Sequence, residues 1–244
     1  MADKIDFEFR LIGDRQGGQH AVSYWLFHQF NGVLHWKNNA GQKHNLLEIS
    51  GFPSMSGFTK WSDNTVKRFV AIAANYEDKT LKDVRGYFYP QYSKERYDII
   101  ILRDPYNLFA SRIHNWRTNS PARLGQFSRK LEIWKQKAKE VINKECYFID
   151  FGKWFVDRGY REHILSWFPE GVFIFTDEGK EDMSNYPRES VGISSFDGRK
   201  FDGKASQMDL LHRYKKMIDD PLMKKVFVND EVRGLSEQIF GKVM

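Results

Sequence analysis

Short apolar runs alternate with helical patterns along most of the chain. The pattern predicts strands over 7–12, 33–36, 97–102, 146–149 and 172–175, with a further short one over 45–49. It predicts helices over 19–30, 63–76, 121–143, 160–167, 206–218 and 230–240. Strands that alternate with helices are typical of an α/β protein whose central sheet is mostly parallel and has helices on both faces. No linker or repeat interrupts the alternation, so we expect one domain over residues 1–244.

The clearest strand, 97–102, is a β-branched run of the kind found in sheets covered on both faces. It leads into Arg103, Asp104 and Pro105, where the aspartate suits a helix N-cap and the proline suits the first helical position. Ligands of such sheets bind at the carboxyl ends of the strands. The loops that follow the strands are therefore where we expect the chemistry.

Composition narrows the class of protein. The 244 residues include 38 Lys+Arg against 32 Asp+Glu, for a net charge of +6, which favours an anionic partner: nucleic acid, a membrane surface or a phosphorylated small molecule. No apolar run is long enough to span a membrane, and the first six residues lack the apolar segment of a secretory signal. The single cysteine, Cys146, cannot form an internal disulfide, so we expect a reducing compartment and a cytoplasmic location. Because Cys146 belongs to a predicted apolar strand, we expect its thiol to be buried. The histidines lack metal-ligand spacing, so no metal is expected.

A glycine-rich loop follows the first strand, from Gly13 to His20. Gly13 and Gly18 have the spacing of a Walker A loop, whose amides bind phosphate at a helix N-terminus. However, Gln19 and His20 replace its Lys and its Mg²⁺-binding Ser/Thr, which argues against an ATPase or GTPase. Arg15 favours anion binding, and the alternative is an ordinary strand-to-helix turn.

Two further segments carry cations. Arg103 follows a strand, and Ser111 lies about two turns into the next helix, so both could bind one phosphate. Alternatively, Arg103 pairs with Asp104 or caps a neighbouring element. A late loop over 194–204 contains Arg199 and Lys200, which could close over a polyanion or be a solvated surface. The face formed by Arg129, Lys130, Lys135, Lys137 and Lys139 is expected to be solvated, with recruitment of an acidic acceptor as the alternative.

Together these three segments resemble the sulfotransferase family. Its members have the fold of the P-loop-containing nucleotide hydrolases and use 3′-phosphoadenosine 5′-phosphosulfate as the sulfuryl donor. The match covers the chain in order, and the middle motif, with Arg103, Pro105 and Ser111, is its most specific part. The Gly198-Arg199-Lys200 run is similar to the carbohydrate branch, which favours a sugar acceptor. The first loop departs most, because the family usually has Ser/Thr and Trp or small residues at the positions of Gln16, Gly18, Gln19 and His20. Arg15 also stands where the family usually has Lys.

The resemblance implies a role for each segment. Arg15, together with Gln16, Gly17, Gly18, Gln19 and His20, would hold the phosphosulfate; Arg103 and Ser111 would hold the 3′-phosphate; Arg199 and Lys200 would close over the nucleotide. Sulfuryl transfer also needs a base and cations on the transferring group. His35, His44 and Glu48 are the candidate bases, and Arg15 a catalytic cation; Lys37 is a possible second one, and Phe58 or Trp61 could stack on adenine.

The predicted activity is thus transfer of a sulfuryl group to a hydroxyl or amine acceptor, without a metal, by a protein that does not bind membranes. Two alternatives remain at this point. The altered first loop also fits a nucleotide-binding module that has lost catalysis, and the charge and the 16% aromatic content also fit a nucleic-acid-binding protein.

Overall fold

Six strands form one sheet in a computed structural model that describes residues 5–37, 57–60, 69–86, 93–176 and 210–242. The strands are β1 (Ile5–Gly13), β2 (Gly32–Lys37), β3 (Gly57–Lys60), β4 (Phe69–Glu77), β5 (Ser93–Leu102) and β6 (Tyr147–Asp150). Their order is β3-β2-β4-β1-β5-β6. Five of them run parallel, and only β3, at the edge, is antiparallel to its neighbour β2. The predicted α/β class with a mostly parallel sheet is confirmed.

Eight α-helices connect and cover these strands within the described residues. They are α1 (Gln19–Gln29), α2 (Leu81–Arg85), α3 (Pro105–Asn119), α4 (Phe127–Ile142), α5 (Phe151–Val156), α6 (Arg158–Leu165), α7 (Pro221–Phe227) and α8 (Asp230–Phe240). Two short 3₁₀ segments span Pro121–Gln126 and Arg213–Met217. Among these helices, none is long and apolar enough to cross a membrane.

The sheet separates two hydrophobic cores. On one face, α1, α5 and α6 pack on the strands through residues such as Trp25, Trp154 and Ile164. On the other face, α3, α4, α7 and α8 pack through residues such as Phe109 and Trp134. Because side chains alternate along a strand, β1 contributes to both cores. Helices therefore cover both faces, as the alternating pattern predicts.

The chain reverses its direction of travel across the sheet at β1. Strands β2 and β4 lie on one side of β1, whereas β5 and β6 lie on the other. In open parallel sheets, ligands bind where the strand order reverses, at the carboxyl ends. The turns after β1, β4 and β5 thus converge on one edge, with Glu77 of β4 in register with Gly13 of β1.

The predicted helix over 63–76 is wrong for the part that the structure describes, because Phe69–Glu77 is a strand. Val70 and Ala73 fit helical spacing, yet the segment also forms an almost continuous apolar run. Such runs suit a strand that is buried on both faces, and β4 lies between β1 and β2. Neighbouring strands, rather than local periodicity, decide its conformation.

Three other predicted elements change. Residues 172–175 join no strand of the sheet; Phe173 makes only a single bridge to Phe30. The helix predicted over 121–143 begins as 3₁₀ and becomes α-helical only at Phe127. In the described part of the helix predicted over 206–218, only Arg213–Met217 is helical, and it is 3₁₀. The strand predicted over 45–49 lies outside the described residues.

Candidate functional site

The turn between β1 and α1 has the shape of an anion-binding loop. Gly17 N donates to Asp14 O at 2.7 Å, and Gln16 and Gly18 have positive φ angles of 64° and 88°. A Cβ on Gly18 would overlap the ring of Phe151, so only glycine fits there. No side chain caps α1, and the first turn of a helix has amides without intrahelical partners. These amides can bind an anion.

Gln19 occupies the position at which a Walker A loop carries its lysine. Its side chain folds back over Gly13, where a Cβ would overlap the Gln19 amide. Gln19 is only 2% exposed, and neither its Nε2 nor its Oε1 has a hydrogen-bond partner among the described residues. Buried amides are almost always hydrogen-bonded, so Gln19 has unused capacity for a ligand at the end of β1.

Glu77, at the end of β4, joins two residues of this loop. Its Oε2 accepts from Nε and Nη2 of Arg15 at 3.1 and 2.9 Å, and its Oε1 lies 3.1 Å from His20 Nε2. Burial alone would raise the pKa of Glu77, but His20 and Arg15 outweigh it and hold the pKa below its ordinary value. Arg15 thus lies in the predicted loop, with its guanidinium paired to a carboxylate that the sequence analysis missed.

Arg103 and Ser111 come together as the spacing predicts. Arg103 Nη1 donates to Ser111 Oγ at 3.3 Å and to Gln16 O at 3.3 Å, and its Nη2 donates to Leu210 O. The Asp104 carboxylate instead caps α3, accepting from Asn107 N at 2.8 Å. The end of β5 and the turn after β1 are therefore joined directly by the Arg103 guanidinium.

Arg213 is a further cation at this point, and the sequence analysis did not identify it. Its Nη1 donates to Ser111 Oγ at 3.0 Å, so one hydroxyl accepts from two guanidinium groups. Asn107 holds the segment in place, because its Nδ2 donates to Leu211 O at 2.7 Å and its Oδ1 accepts from Tyr214 N at 3.4 Å. The only sequence signal was the basic run after His212.

A buried ion network supports the loop from behind. Arg112 Nε donates to Arg15 O at 3.0 Å, and its Nη2 contacts both Asp14 and Asp78. Lys130 Nζ lies 2.9 Å from Asp78 Oδ2. Burial would raise the pKa of Asp78, but the charges of Arg112 and Lys130 dominate and lower it strongly. Asp78 is therefore ionised, and Arg112, which it helps to hold, contacts the loop backbone at Arg15 O.

The α4 lysines correct one expectation. Lys137, predicted to be solvated, is fully buried, and its Nζ lies 2.6 Å from Asp14 Oδ2. Lys135 is also mostly buried and pairs with Glu132 and Glu231, both at 2.7 Å. Lys137 thus belongs to the wall behind the loop, whereas Lys135 links α4 to α8.

Of the predicted bases, only His35 is among the described residues, and it does not lie at this edge. His35 pairs in register with Ile72, five residues before Glu77, and its half-buried position lowers its pKa. A strand rises about 3.3 Å per residue, so His35 lies well below the edge. The structure describes only the backbone of Lys37 and Phe58. The other predicted site residues, His44, Glu48, Trp61, Arg199 and Lys200, lie outside the described residues.

The guanidinium groups gathered at the end of β5 suit a polyanionic ligand. In the described ranges, no cluster of three or more His, Cys, Asp or Glu residues could hold a metal. Cys146 is partly buried, and burial raises the pKa of its thiol to about 12, which leaves it protonated.

No protein-family model matches the chain, and no curated protein sequence matches it either.

Proposed function

We propose that the chain is a sulfotransferase, which binds 3′-phosphoadenosine 5′-phosphosulfate and transfers its sulfuryl group to a hydroxyl or amine acceptor. The observation that carries the proposal is the meeting of Arg103, Ser111 and Arg213 beside the turn after β1. Two guanidinium groups and one hydroxyl at a strand end suit a terminal phosphate, because charge-assisted hydrogen bonds to phosphate are the strong ones.

The turn after β1 fits the other end of the donor. The uncapped start of α1 supplies amides, and the buried Gln19 amide has hydrogen-bonding capacity that no described residue uses. An amide donor at this position would favour an uncharged interaction with sulfuryl oxygens, without the Mg²⁺ ligand of a nucleotide hydrolase. We accordingly propose a P-loop-like site in which Gln19 takes the place of the Walker A lysine.

Proton transfer is assigned to the pair formed by Glu77 and His20. The bound donor supplies a sulfuryl group on a phosphate leaving group, so the chain has to remove the acceptor proton and stabilise negative charge. Glu77 lies at the carboxyl end of β4, in register with Gly13. Its Oε1 lies 3.1 Å from His20 Nε2, and its Oε2 lies 2.9 Å from Arg15 Nη2. This pair replaces His35 as the proposed base.

The donor site is tested by calorimetry with adenosine 3′,5′-bisphosphate and with adenosine 5′-monophosphate, which lacks the 3′-phosphate. We expect the bisphosphate to bind at least 10-fold more tightly to the unaltered protein. Ser111→Ala and Arg213→Ala should each abolish this preference, since a hydrogen bond to a charged group contributes about 1.5–3 kcal/mol. The matched controls, Ser128→Ala and Arg233→Ala on exposed positions of α4 and α8, should keep it.

Two outcomes would change the conclusion. If the unaltered protein does not bind the bisphosphate, the proposed donor site is wrong. If it binds the bisphosphate but mass spectrometry detects no sulfated product across hydroxyl and amine acceptors, the chain is a nucleotide-binding module without catalysis. Two observations favour this second candidate. Gln19 stands where a Walker A loop has its lysine, and Arg15 is paired with Glu77.

A further inference from the structure

A cavity of about 300 Å³ lies beside the loop, and Arg103 is not one of its lining residues. The turn after β1 and the end of β4 form its floor, and α3, the 3₁₀ segment Pro121–Gln126 and the start of α4 form its walls. Six of its lining side chains are cationic, namely Arg15, Lys79, Arg112, Arg123, Arg129 and Lys130, and two are acidic, Glu77 and Asp78. The cavity thus carries a marked excess of positive charge.

The excess of positive charge is concentrated on the walls formed by the 3₁₀ segment Pro121–Gln126 and the start of α4. Glu77 and Asp78 already pair with Arg15, Arg112 and Lys130. Arg123 and Arg129 make no ion pair with any residue that the structure describes, although both line the same cavity. Two guanidinium groups that face one small cavity without a carboxylate suit an anionic ligand, because their planar donor pattern matches sulfate, phosphate and carboxylate groups.

A buried guanidinium gives a second, independent indication. Arg112 is 1% exposed and lines the cavity, and its Nη1 has no hydrogen-bond partner among the described residues. Gln16, another lining residue, has a buried Oε1 that is also without a partner there. Buried polar groups are nearly always satisfied, so hydrogen-bonding capacity remains at this wall for a ligand or water.

We infer that this cavity binds the acceptor, and that the acceptor is a sugar-like molecule that already carries a sulfate or carboxylate group. The inference rests on the proposed function, because Glu77, the proposed base, lines the same cavity. An acceptor whose anionic group contacts Arg123 and Arg129 would present a neighbouring hydroxyl toward Glu77. The volume of about 300 Å³ favours one or a few sugar rings over the extended backbone of a nucleic acid, which needs a continuous charged surface.

The inference is tested on protein saturated with adenosine 3′,5′-bisphosphate, so that binding is measured without turnover. The probes are trigalacturonate, sulfated maltotriose and unmodified maltotriose, titrated by calorimetry. We expect at least one anionic probe to bind 10-fold or more tightly than maltotriose. The double variant Arg123→Ala/Arg129→Ala should lose this difference, which corresponds to about 1.4 kcal/mol for each factor of ten. It should still bind the bisphosphate within about twofold of the unaltered protein.

The matched control is Lys224→Ala/Lys225→Ala, which removes the same charge from an exposed part of α7. It should bind the anionic probe normally, and an equal loss in this control would overturn the inference by showing a general charge effect. Equal binding of all three probes would also overturn it, as would a single-stranded oligonucleotide that displaces the anionic probe with higher affinity. Loss of bisphosphate binding in the Arg123/Arg129 variant would assign the cavity to the donor instead.

The two proposals fail in different ways. If the bisphosphate binds with the expected dependence on Ser111 but no anionic probe binds, the acceptor inference is wrong and the donor site stands. If the bisphosphate does not bind, the proposed function itself is wrong, and the anionic probes are then titrated against the protein alone. If an anionic probe binds to the protein alone and this binding depends on Arg123 and Arg129, the cavity is an anion-binding site but not an acceptor site.

Discussion

Lys137 Nζ lies 2.6 Å from Asp14 Oδ2, although both side chains are at most 1% exposed. This ion pair ties the middle of α4 to the first residue of the turn after β1. Burial lowers the pKa of Lys137, and Asp14 opposes that effect. The loop therefore depends on a helix that begins more than 100 residues later, and its geometry should be sensitive to that contact.

Replacement of Lys137 should show how far this pair stabilises the fold. We expect Lys137→Met to lower the free energy of unfolding by about 3–5 kcal/mol, because it leaves a buried carboxylate with less compensation. Adding Asp14→Asn should restore part of the loss, since removal of both charges of a buried pair is often nearly neutral. Urea denaturation of the two single variants and the double variant measures the coupling. Strictly additive losses would show that the two residues do not act as a pair.

Gly18 should tolerate no side chain. Its φ of 88° costs an L-residue about 1–2 kcal/mol, and a Cβ would in addition overlap Phe151. We therefore expect Gly18→Ala to lower the thermal midpoint clearly. Gly125→Ala is the matched control, because a Cβ there meets nothing within 4 Å, and it should be neutral or slightly stabilising. Similar midpoints for the two variants would contradict the geometry of the turn.

Glu77 should matter for transfer more than for donor binding. We expect Glu77→Gln to lower the rate of sulfuryl transfer by roughly 10²–10⁴-fold, because it removes the proposed proton acceptor. Calorimetry should show that adenosine 3′,5′-bisphosphate still binds. Glu162→Gln, on an exposed position of α6, is the control and should retain both properties. Full activity in Glu77→Gln would remove this residue from the mechanism.

Acid should destabilise the protein through the carboxylates behind the loop. Burial opposes ionisation of Asp78, but Arg112 and Lys130 hold its pKa below the ordinary 3.8. The unfolded chain consequently binds more protons than the folded one at low pH, so this stabilisation is complete near neutrality and is lost as the pH falls below about 4.

Urea midpoints at pH 7, 5, 4 and 3 measure this loss. Asp78→Asn should make the decline below pH 4 shallower, because the variant lacks the group whose protonation differs between the two states. Asp219→Asn serves as the control, since that side chain is 96% exposed. A decline that is the same in the Asp78 variant and in the unaltered protein would place the acid sensitivity elsewhere.

Local sequence was sufficient for several elements and for one pair of site residues. The N-cap at Asp104 and the proline after it mark the start of α3, and both features depend only on neighbouring residues. Ser111 follows Arg103 by eight residues, about two helical turns, so the strand end and the helix bring the two together without help from distant parts. The same holds for β1, α1 and α8, whose observed bounds lie within two residues of the predicted ones.

The sequence by itself thus determined the α/β class, the glycine-rich turn after the first strand and the pairing of Arg103 with Ser111. Only the tertiary structure made residues 69–77 a strand, because neighbours on both sides replace the local helical preference. It alone brought Glu77 to Gly13, through parallel register, and Arg213 to Ser111, across 102 residues. Contacts of that kind depend on which strands are neighbours in the sheet and on which charged groups are buried together. Neither can be predicted from the spacing of residues along the chain.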